Sequence, residues 1–79
     1  MLSPVEVLSP SDTVFDVEEK VTEWLEAGCA MVWVINAKRR SVSVHRSGAP
    51  VTVLTETDTL NGGDVLPGFT LPVAQIFEW

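Results

Sequence analysis

The sequence predicts an α+β fold, with one helix packed on a small, mainly antiparallel sheet. The element order is β-α-β-β-β, followed by an irregular C-terminal tail. Three features carry that prediction. Apolar residues recur every three or four positions from Val14 to Leu25, an almost unbroken apolar run follows from Ala30 to Ile35, and residues 41–46 alternate strictly. With 79 residues the chain forms one domain, residues 1–79, whose folding buries roughly 60% of the unfolded surface.

The first strand is brief. Val5-Glu6-Val7-Leu8 is β-prone and ends in Ser9-Pro10-Ser11-Asp12, a turn signal. In a strand Glu6 points away from the face that Val5 and Val7 share. The helix spans about Asp16 to Ala27, with Val14, Val17, Val21, Trp24 and Leu25 on one stripe. Glu18 and Glu19 in its first turn suit the positive end of the helix dipole, and Gly28 suits a left-handed cap at the other end.

Ala30-Met31-Val32-Trp33-Val34-Ile35-Asn36 reads as a central strand covered on both faces. A hairpin-length turn, Ala37-Lys38-Arg39-Arg40, leads to Ser41-Val42-Ser43-Val44-His45-Arg46, a half-exposed strand. Val51-Thr52-Val53-Leu54-Thr55 supplies the third strand of the meander. Beyond it, Asn61-Gly62-Gly63-Asp64 is a tight turn. Residues 65–72 are apolar but broken by Pro67 and Pro72, which predicts an edge segment or packed loop. Val73 to Phe77 fit one helical turn. One helix covers one face of the sheet, so the other face, or the open edge, calls for a partner or a missing part.

Composition narrows the function. Hydrophobic residues make up 46% and charged residues 20%, a globular balance. No apolar run reaches the roughly 20 residues of a membrane span. Met1-Leu2-Ser3-Pro4 has no basic, apolar secretory leader, which points to a cytoplasmic setting. One cysteine, Cys29, and one histidine, His45, leave no disulfide, no cysteine-built zinc site and no His-rich cage. Cys29 reads as a buried thiol and His45 as a surface residue, while Asp58 and Asp64 read as turn caps.

The net charge is −6, and it is unevenly spread. Residues 1–28 carry seven acids against Lys20, residues 29–50 carry four bases and no acid, and residues 51–79 carry four acids and no base. An acidic chain repels nucleic acid overall. The Lys38-Arg39-Arg40 run is the one candidate phosphate contact, set against its plainer role as a solvated turn.

An ordered series of segments adds a family resemblance. It comprises Val5 to Asp12, Asp16 to Lys20, Trp24-Leu25-Glu26-Ala27-Gly28, Val32-Trp33-Val34-Ile35, Gly63-Asp64-Val65-Leu66-Pro67-Gly68-Phe69 and Leu71 to Phe77. The series resembles the C-terminal half of the Uma-type restriction endonuclease family, a domain of unknown function within the PD-(D/E)XK nuclease superfamily. The resemblance implies a truncated nuclease-like core and a Mg²⁺-dependent phosphodiesterase centre. Hard oxygen ligands would hold the ion, which acidifies a water, and a nearby cation would stabilise charge on the phosphate.

In the family a Pro-Asp pair precedes the strand Glu, and a helix Lys follows. Glu6 matches the Glu as metal ligand and Lys20 matches the Lys as catalytic cation. Met1 and Leu2 stand where the Pro and Asp belong. Leucine cannot ligate a metal, so the lone chain is expected to bind no Mg²⁺ and to cleave nothing. The expected role is a self-associating or binding module, as a homodimer or with a separate N-terminal half. The alternatives are a nuclease completed by a second chain and an unrelated small acidic interaction protein.

Overall fold

The core strand explains the architecture. Met31 to Val34 are all buried, and successive side chains of a strand point to opposite faces, so this strand needs apolar cover on both sides. A computed structural model, which describes residues 4–9 and 14–78, shows where the two covers come from. Met1, Leu2, the turn at Pro10-Ser11-Asp12 and Trp79 lie outside the described residues, as does the side chain of Val14.

The elements are β1 (Val5–Leu8), α1 (Val14–Glu26), β2 (Met31–Asn36), β3 (Ser41–His45), β4 (Thr52–Leu54), β5 (Thr59–Asn61), β6 (Thr70–Pro72) and α2 (Val73–Ile76). Strands β1 to β4 form one sheet in chain order. β1 runs parallel to β2 through the α1 crossover, and the two following pairs are antiparallel. The fold class is the one predicted.

α1 lies on one face. Val21 is buried there with Cys29, Val32 and Val34, and Leu8, Val17, Trp24 and Leu25 pack against them. The helix ends as the Gly28 position predicts. Gly28 adopts φ 106°, its N–H donates to Leu25 O (3.1 Å), and Cys29 N–H donates to Trp24 O (3.1 Å). That pair of bonds is the Schellman closure, and Trp24 and Cys29 share the apolar cluster beneath it.

The opposite face is filled from within the chain. Met31, Trp33 and Val42 are buried against Leu60, Val73 and Phe77. This part of the tail is not irregular. β5 and β6 pair antiparallel, Leu60 opposite Leu71, and Val73 N–H donates to Asp58 O (3.0 Å), which seats α2. The sequence expectation missed the pair because each strand is three residues long, too short to show alternation. Most of this face therefore has its cover, and β1 and β4 are the edge strands of the sheet.

Turn chemistry follows the sequence. Asn36 Oδ1 accepts from Arg39 N–H (3.0 Å), Asp58 Oδ2 accepts from Thr55 N–H (2.8 Å), and Asn61 Oδ1 accepts from Gly63 N–H (2.7 Å). Asp64 instead pairs with Arg46 across 3.2 Å.

Candidate functional site

Glu6 lies on β1 and Lys20 on α1. Val5 packs in the cluster on the β5 side of the sheet and Leu8 in the cluster under α1. Glu6, in phase with Leu8, therefore points to the α1 face, where it is half-buried. Its neighbour on β2 is Val32, whose neighbour on β3 is His45.

The helix places Lys20 from the other direction. Glu18 acts on His45, so that flank of α1 overlooks β3. At 100° per residue, Glu18 lies roughly 75° to one side of the Val17–Val21–Trp24–Leu25 stripe and Lys20 roughly 85° to the other. Lys20 thus stands on the flank of α1 away from Glu18, in an exposed depression of about 290 Å³ that it shares with Asp16, Glu19 and Glu23. Asp16 occupies the first turn of the helix.

His45 is half-buried rather than on the surface, because the polar face of β3 is turned towards α1. Burial lowers its pKa, and the Glu18 carboxylate opposes the shift. Cys29 is buried, its Sγ 3.0 Å from Met31 O, as expected for a structural thiol. The basic turn lies beyond the end of β2. Arg40, at φ 51°, is engaged there: its Nε pairs with Glu56 Oε1 at 2.8 Å and its guanidinium covers the Phe77 ring at 5.3 Å. Lys38, Arg39 and Arg40 are all exposed.

A magnesium ion takes about six oxygen ligands in octahedral array, several of them usually waters, with one or two carboxylates from the protein. Among the described residues no three of His, Cys, Asp and Glu converge to hold a metal. Glu6 is the only carboxylate on β1.

A second feature of the β1 edge was not legible from the sequence. Val7, on the face opposite Glu6, is 52% exposed although its β2 neighbour Trp33 is buried. Between them opens an apolar groove of about 310 Å³, walled by Val7, Trp33, Ile35, Leu71 and Ile76 over Val42 and Leu60. Trp33 stacks on Phe69 at 5.5 Å and keeps a buried Nε1–H with no acceptor. The groove depends on where the tail lands, which no local pattern encodes.

The sheet combines a βαβ unit with an antiparallel meander. The crystal structure of a putative nuclease belonging to DUF820 from Anabaena variabilis matches it with a TM-score of 0.76 and 22% identity, over 92% of this chain. Residues 4–74 match the family model described as Uma2, "Putative restriction endonuclease". The chain belongs to the Uma2 family. It spans 41% of the length of the Anabaena structure. No curated protein matches it. Among the described residues, no helix is long and apolar enough to cross a membrane.

Proposed function

We propose that this chain acts as a binding module built on a nuclease fold, and that it does not cleave nucleic acid by itself. The supporting observation is the ligand deficit around Glu6. The family resemblance implies a divalent cation, yet no group of metal ligands converges among the described residues. Leu2 occupies the position that the resemblance assigns to the aspartate. Lys20 can position a phosphate or a water, but without the ion nothing acidifies that water at neutral pH.

The test is plasmid nicking by the purified chain with Mg²⁺ or Mn²⁺. Relaxed-circle formation is expected to stay at the level of a Glu6→Ala, Lys20→Ala double variant. Metal-dependent nicking by the wild type that either single substitution abolishes would overturn the proposal.

A second reading has its own support. Glu6 lies on the edge strand β1, and the solved relative is more than twice as long as the matched region. A second chain supplying the missing carboxylate would complete a phosphodiesterase centre. In that case nicking should require both chains and should still depend on Glu6.

A further inference from the structure

We propose that the Asn61-Gly62 peptide is a site of spontaneous covalent modification, in which Gly62 N attacks the Asn61 side-chain amide. The loop joining β5 to β6 holds this reaction back while the C-terminal layer stays folded.

The chemistry needs only the chain and water. Gly62 N–H gives its proton to hydroxide, and the amide nitrogen forms a bond to Asn61 Cγ. The bond from Cγ to Nδ2 breaks, and Nδ2 leaves as ammonia with one proton taken from water. Water then opens the five-membered imide at either of its two carbonyls. Opening at Cγ leaves an ordinary main chain with aspartate at position 61. Opening at the main-chain carbonyl leaves the chain running through Cβ and Cγ, an isoaspartate.

The sequence favours the attack, and packing imposes the residue that permits it. Glycine has no side chain to hinder its own nitrogen. The position has no room for a larger residue, because a Cβ on Gly62 would lie 2.5 Å from Leu66 O. Asn36, the other asparagine of the chain, is followed by Ala37, whose methyl group hinders the same attack.

Three contacts restrain the reacting atoms. Gly62 N–H donates to Phe69 O (3.0 Å), so the proton that must leave is engaged. Asn61 Oδ1 accepts from Gly63 N–H (2.7 Å), which fixes the amide to be attacked. Asn61 is also paired opposite Thr70, which holds its main chain in the β5–β6 ladder. Attack therefore waits on an opening of this loop, and its rate follows the fraction of molecules that are open.

The product acts back on the fold. Isoaspartate inserts a methylene between Leu60 and Gly62, beside the pairing of Leu60 with Leu71. Leu60 is buried against Val73 and Phe77, so the lengthened chain cannot restore both the ladder and that contact. Aspartate keeps the main chain and an oxygen for Gly63 N–H, and it leaves the layer intact.

The test holds the full chain in mildly alkaline buffer, with and without denaturing urea, and follows both asparagines by peptide mapping and mass spectrometry. Asn61 is expected to convert at least about tenfold faster in urea, and faster than Asn36 in both buffers. Val73 is fully buried in the same layer and far from Asn61 in sequence. Val73→Ala should therefore raise the rate in native buffer and leave the rate in urea unchanged. Equal wild-type rates in the two buffers, earlier conversion of Asn36, or a native rate unmoved by Val73→Ala would overturn the proposal. The purified isoaspartyl chain is expected to melt below the Asn61→Asp variant, whose Tm should stay near that of the wild type. Equal melting of those two forms would overturn the assigned effect on the layer.

Discussion

Glu6, Val32 and His45 form a row across three strands, all turned towards α1. The row sets a polar group on each side of a fully buried valine, and the helix treats the two differently. At His45, burial costs the imidazolium its hydration, and the Glu18 carboxylate compensates only in part. The folded pKa therefore lies below the ordinary value of 6.5. A base with a lowered folded pKa binds its proton more readily in the unfolded chain. As pH falls through 6.5 towards the folded value, the unfolded state is increasingly favoured, and above that window the group contributes nothing. Urea-unfolding midpoints are accordingly expected to drop between pH 7 and pH 5. His45→Gln should remove part of that drop, and an unchanged pH slope in the variant would show that other groups carry it.

At the scale of elements, the legible parts were those with room for a period. α1 shows more than three turns of stripe, and β2 an apolar run bounded by Gly28 and a basic turn, so both stand where the sequence puts them. β5 and β6 have three residues each and are held by their connection. Glu6 and Lys20 were legible only through family resemblance, and the β1 edge only once the strand order was known. The loop joining β5 to β6 closes on Gly62, whose N–H donates to Phe69 O (3.0 Å) and whose carbonyl accepts from Leu66 N–H (3.0 Å). A Cβ on Gly62 would lie 2.5 Å from Leu66 O and 2.6 Å from Leu66 Cβ, atoms fixed by the backbone. Gly62→Ala is therefore expected to cost about 1–3 kcal/mol through overpacking. A domain of this size loses roughly 4–8 °C of Tm per kcal/mol, so the loss is easily measured by thermal melting. An unchanged Tm would mean that the loop shifts at no cost.

For the whole molecule, the decisive fact is that one strand serves two cores. Val32 and Val34 support α1, while Met31 and Trp33 support the β5–β6–α2 layer. Neither cluster can lose β2 and survive, so the two faces should unfold together although the two clusters share no member among the described residues. Leu60 tests this from the side remote from the helix. It is 2% exposed, and Leu60→Ala should cost about 2–5 kcal/mol in transfer and cavity terms. A chain of this length has roughly 4–12 kcal/mol to lose. If β2 couples the layers, the helical circular-dichroism signal of α1 and the near-ultraviolet signal of the stacked Trp33 should fall at one lowered midpoint. An early loss of the Trp33 signal with the helix intact would instead make the C-terminal layer a separable flap. The groove beside Val7 would then be a transient feature of the edge, because Leu60, Leu71 and Ile76, which bound it, would leave together.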